Sequence, residues 1–179
     1  MFVRSCAVML IMSSACAIPR DARAQQPDLC ATAIPSNIDA GVFTRDVIAL
    51  LGRSDTFRSQ CERVAGTSRV RVTLAIVFTL NGGRAQTAIH RFPSGAILAE
   101  VDVLFGENYR ELLAHEFEHI LEQIEGVDLR QEAAEGRAWL LPGGAFETRR
   151  AYLAGVQVRT ESEPLRARAA AAASVHATR

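Results

Sequence analysis

The chain contains no lysine; all 20 of its basic residues are arginine. That is a compositional bias, and 20 acidic residues bring the formal charge to zero. A nucleic-acid binder normally carries a surplus of positive charge on one face, so no nucleic-acid partner is expected. Aromatic residues are sparse, at 6% of the chain. No sequence repeat is visible, which argues against a solenoid. The apolar stretch from Cys6 to Ile18 is too short to span a bilayer. There are four cysteines, none in Cys-x-x-Cys spacing, and this argues against a cysteine-ligated metal ribbon. Histidine is equally scarce, at four residues, so a patterned pair of them carries information.

What is present at the N-terminus reads as a targeting segment. Met1-Phe2-Val3-Arg4 is a short basic lead, Cys6 to Ile18 an apolar core, and Ala22-Arg23-Ala24 a small-x-small cleavage pattern. Residues 1–24 are therefore expected to be a signal peptide cut after Ala24. A lipid-attachment site at Cys16 is the rival reading, but Ser13 stands where leucine is usual. Cleavage leaves an exported chain, periplasmic or secreted, with no stable membrane anchor. It also removes Cys6 and Cys16. Cys30 and Cys61 remain, and in an oxidising compartment they are expected to form a disulfide.

Residues 25–160 have the length of one α+β domain with a core of its own. Residues 37–66 carry a helical apolar period, broken near Gly52-Arg53-Ser54, with Ser54 as the cap of the second piece. The period then changes to two. Val70, Val72, Leu74, Ile76 and Phe78 predict a strand. Asn81-Gly82-Gly83 is a hairpin signal, and residues 85–92 read as its return. Pro93-Ser94-Gly95 is a second turn, and residues 96–105 read as a third strand. The expected sheet is thus about three-stranded and mostly antiparallel. Residues 127–144 read as polar and irregular. A helix is expected from about Ala145, and residues 161–179 as a flexible tail.

Between the third strand and Gly126 lies His115-Glu116-Phe117-Glu118-His119. Leu113, Phe117, Ile120, Leu121 and Ile124 keep a helical period around it. Positions i and i+4 project from one face of a helix, so the two imidazoles can share one Zn²⁺. Glu116, next to the first of them, can take a proton from the attacking water. A catalytic zinc wants a third protein ligand. No third histidine follows at close spacing, which leaves the carboxylates Glu132, Glu135 and Glu147. Glu147 is preferred, because it opens the expected amphipathic helix and can be presented across the first one.

A sheet, a His-Glu-x-x-His helix and a glutamate from a second helix resemble the gluzincin class of zinc metallopeptidases, in a small single-domain, zincin-like form. The resemblance rests on residues 96–155. It implies His115, His119 and Glu147 as zinc ligands and Glu116 as general base. It also implies a peptide or protein substrate laid along an edge strand, for which residues 96–105 are the natural candidate. That class often carries an aspartate four residues after the ligand glutamate; here the position is Ala151. The contact that steadies a metal histidine must then come from elsewhere, and Ala151 would instead allow close helix packing. Tyr109, Arg149, Arg150 and Tyr152 are the candidates for stabilising an oxyanion. The expected activity is zinc-dependent hydrolysis of peptide bonds. The alternative is a non-catalytic module of the same form that binds metal or protein.

Overall fold

Alternation of apolar residues builds a sheet with one covered face. A computed structural model describes residues 33–141 and 144–163. The strands are β1 (Ile38–Asp39), β2 (Val70–Val77), β3 (Ala85–Arg91) and β4 (Ile97–Leu104), in the spatial order β1-β2-β4-β3. Val70, Val72 and Leu74 of β2 and Ile97, Ala99, Val101 and Val103 of β4 are buried on the face that the helices cover. Helices α1 (Thr44–Leu51), α2 (Asp55–Ala65) and α3 (Tyr109–Glu125) contribute Val47, Leu50, Phe57, Val64, Leu113, Phe117 and Ile120 to the same core. The Phe57 and Phe117 rings meet at 5.1 Å. Each such burial is worth roughly 1.5–3 kcal/mol. The described residues close with α4 (Leu129–Ala134), a small hairpin β5 (Ala138–Leu140) and β6 (Phe146–Thr148), and α5 (Arg149–Ser162). The class is mixed α+β, as expected.

The sheet itself departs from expectation. It has four strands and is mixed: β1 and β4 both run parallel to β2, and only β3 is antiparallel, to β4. Asn81-Gly82-Gly83 does not make a hairpin, because β4 lies between β2 and β3. The reason is burial. The apolar positions of β4 are almost wholly covered, whereas β3 is half-exposed along its length, and the more apolar strand takes the interior. The 78–84 segment is a wide connection with Gly82 and Gly83 at positive φ. The true hairpin is β3–β4, turned at Pro93-Ser94-Gly95. Residues 96–105 therefore cannot offer an edge to substrate. Ala99, for instance, is paired on both sides, to Val72 and Ile89.

Three further differences are local. Ile38 and Asp39, expected in a helix, are drawn into β1 by parallel pairing with Val72 and Thr73. Asp128 caps α4 with bonds to the Arg130 and Gln131 backbone, giving structure to a stretch expected to be irregular. The last helix continues past residue 160, because Glu161 reaches across to the start of α2. It accepts hydrogen bonds from Ser54 Oγ (2.5 Å) and from Thr56 N and Oγ1. Ser54 is the N-cap of α2, as its sequence context predicts, and accepts from Phe57 N. The expected signal peptide at 1–24, Cys30 and residues 164–179 lie outside the described residues. So does the expected Cys30–Cys61 pairing; Cys61 itself is fully buried on α2. Among the described residues no helix is long and apolar enough to cross a membrane.

Candidate metal centre

The helix α3 carries most of the site. It ends on Gly126, whose φ of 70° and ψ of 32° are left-handed and let its N–H bond back to Gln123 and Glu122. It lies beside β3 along its whole length. Arg84 pairs with Glu107 and Glu111, Thr87 touches Glu116, and Arg91 donates to the Gln123 carbonyl. One face of α3 enters the core through Leu113, Phe117, Ile120 and Leu121. The face turned toward α5 and the small hairpin presents His115 and His119, with ring centroids 4.9 Å apart.

Glu147 meets them there. Its Oε2 is 3.1 Å from His115 Nε2 and its Oε1 is 3.7 Å from His119 Nε2. One ligand atom from each of the three residues lies within 4.8 Å of the others. In a tetrahedral zinc site with bonds near 2.05 Å, neighbouring donors stand about 3.3 Å apart. The two observed separations bracket that spacing, and the donors are two imidazole nitrogens and a carboxylate. The residues present therefore fit a zinc ion.

Glu147 arrives differently from expectation. It does not open a helix but sits in β6, two residues before α5. Its position is set by pairing with β5 and by Thr148, which caps α5 through Ala151 N. Glu132 and Glu135 are not brought to the histidines. Glu132 is half-buried and Glu135 exposed, and Arg137 binds both. Hydrogen bonds from Arg137 to Glu132, and from Gln131 and then Arg137 to Glu135, hold both carboxyls below the ordinary range.

The carboxylate that steadies a histidine is Glu122. Its Oε2 is 2.9 Å from His119 Nδ1, and its Oε1 accepts from Thr148 Oγ1 at 2.7 Å. This contact turns His119 Nε2 toward Glu147, and it supplies the histidine-steadying contact for which the sequence offers no residue at Ala151. Ala151 is fully buried, and Gly155 lies close against α3. A Cβ at Gly155 would stand 2.9 Å from the Glu111 carbonyl oxygen and 3.3 Å from His115 Cβ. Small residues on α5 thus set how near Glu147 comes to the histidines.

Glu116 is 4% exposed, and its Oε2 accepts from Thr87 Oγ1 at 2.6 Å. Burial pushes its carboxyl above the ordinary range; His115, the Thr87 hydroxyl and His119 offset this only in part. A base or acid raised toward neutral pH suits proton transfer. Burial opposes the charge of His119, but the hydrogen bond to Glu122 and the nearby carboxylates outweigh it and hold its pKa up. Partial burial likewise opposes the charge of Glu147, but His115, His119 and the Thr148 N–H outweigh it and hold the carboxyl down.

The remaining candidates divide. Tyr109 packs edge-on against Phe43 at 5.0 Å. Arg150 is bound by Glu118 and Glu125. Arg149 and Tyr152 are exposed on α5. Sequence reasoning missed Thr87, Glu122 and Thr148. Glu122 is recoverable, because i+3 from a candidate ligand histidine is one helical turn away. Thr87 and Thr148 come from β3 and β6, and no local signal ties them to α3. Compared with protein-family models, with curated proteins and with solved structures, the chain finds no match.

Proposed function

We propose that this chain is an exported, zinc-dependent peptidase of zincin-like form. The observation that carries this reading is the convergence of His115, His119 and Glu147 beside a buried Glu116 held by Thr87. The two imidazole Nε2 atoms and the Glu147 carboxylate would hold the ion. When bound, zinc supplies Lewis acidity to a water and a substrate carbonyl. Glu116 takes the proton of the attacking water and hands it to the leaving amine. Thr87 fixes the Glu116 carboxylate for that transfer. Glu122 keeps His119 in the tautomer that frees Nε2 for the metal. The strand offered to extended peptide is β3, which is the sheet edge and touches the general base through Thr87.

A non-catalytic metal-binding module is the second reading. It is favoured by one observation: Tyr109 and Arg150, two of the four oxyanion candidates, are engaged elsewhere. The intact Glu116 favours the peptidase, since holding a metal requires no general base. The test is a diverse peptide library incubated with wild type and Glu116→Gln, with and without a chelator. The proposal expects zinc-dependent cleavage by wild type alone. Cleavage by neither protein at any zinc level would move the reading to the binding module.

A further inference from the structure

The hairpin that delivers Glu147 also carries the chain's only tryptophan. The register pairs Trp139 with Glu147, Ala138 with Thr148, and Leu140 with Phe146. Directly opposed residues of an antiparallel pair share a face, with Cβ atoms about 4.5–5.5 Å apart. Ala138 and Thr148 are buried, and Thr148 turns inward to Glu122. Alternation then places Trp139 with Glu147 on the face that looks toward His115 and His119. Trp139 is 45% exposed. Among the described residues its indole has no hydrogen bond and no ring contact, and nearly half of it faces solvent. A half-exposed indole beside a ligand carboxylate is the residue type that gives large contact area at low entropic cost.

We propose that Trp139 is a specificity residue: its indole forms the wall of the cleft that receives a bulky apolar side chain flanking the scissile bond. The inference rests on the peptidase reading and names the substrate class it implies. Peptide held on β3 would cross the His115–Glu116–His119 face and meet the hairpin on the other side. The side chain next to the scissile carbonyl would then reach Trp139.

Because Trp139 is the only indole in the chain, its emission reports this wall directly. Zinc-loaded Glu116→Gln, which is expected to bind without cutting, is titrated with two peptide amides differing only in a central Phe or Gly. The expected result is a saturable blue shift with the Phe peptide, at an affinity roughly tenfold or more above that for Gly. No shift, or equal responses, would overturn the inference. Trp139→Ala in the otherwise wild-type chain should keep its zinc and lose the Phe preference, with Trp139→Phe restoring part of it. Loss of zinc from Trp139→Ala would also overturn it, since the indole would then be holding the ligand. Wild-type cleavage is scored separately. Cleavage without an emission response removes Trp139 from the account and leaves the peptidase; an emission response without any cleavage does the reverse.

Discussion

The two halves of the candidate metal centre are held in different ways. His115, Glu116, His119 and Glu122 all stand on one helix, so their spacing follows from helical geometry alone. Glu147 stands on a three-residue strand far along the chain. Its place depends on the β5 register, on the Thr148–Glu122 bond and on the close fit of Ala151 and Gly155 against α3. One half is preformed wherever α3 folds. The other exists only when α5 docks. Damage to the docking should therefore weaken zinc binding without disturbing the histidines, and that asymmetry can be tested.

The strongest test is Thr148→Val. It removes the N-cap of α5, worth about 1 kcal/mol. It also leaves one oxygen of the buried Glu122 without its partner, at a further cost of about 1–3 kcal/mol. Zinc affinity should fall roughly 10–100-fold, and thermal unfolding should shift down. An unchanged affinity measured by competition with a chromophoric chelator would break the link between Glu122 and the site.

Gly155→Ala should have a smaller effect. Alanine gains about 1 kcal/mol of helix propensity, but the new Cβ meets the Glu111 carbonyl at 2.9 Å. A backbone atom cannot rotate away, so α5 must move, at about 1–3 kcal/mol. The net effect should be a loss of stability and of zinc affinity, read by calorimetry and metal titration. A gain in stability would show that α5 docks more loosely than the packing implies.

This same contrast explains what was legible in the sequence. The α3 site and its glycine stop rest on contacts within one or two helical turns, and a spacing of four residues is enough to read them. Ser54 was legible as a cap for the same reason. The sheet order was not, because nothing in the Asn81-Gly82-Gly83 turn reveals that β4 will displace β3 from β2. Glu147 stands out from three carboxylates by its place at the start of an expected helix, yet its setting in a strand is not legible. The residues that secure it, Thr148 and Gly155, act across more than 20 positions, through contacts that local periodicity does not encode.

The smallest effect is expected at the far end of α5. Partial burial works to raise the pKa of Glu161, but hydrogen bonds from Ser54, Gln157 and Thr56 outweigh it and hold the carboxyl below its ordinary value of 4.5. A depressed folded pKa means that the stabilisation is complete above that ordinary value. It is lost as pH falls through the lower folded one. Glu161→Gln should therefore lower stability at neutral pH and flatten the acid limb of the stability curve. Zinc affinity should barely change, because this clasp holds α5 to α2 and not to the histidines. Parallel pH curves for mutant and wild type would remove Glu161 from the account.

The central claim is that His115, His119 and Glu147 hold one zinc ion, two ligands from α3 and one from β6. The most direct measurement is metal content of the purified chain beside His119→Ala and Glu147→Ala, with circular dichroism confirming that each is folded. The account predicts about one zinc per chain in the wild type, none in His119→Ala and a weakened, partial content in Glu147→Ala. Stoichiometric zinc in folded His119→Ala would contradict it.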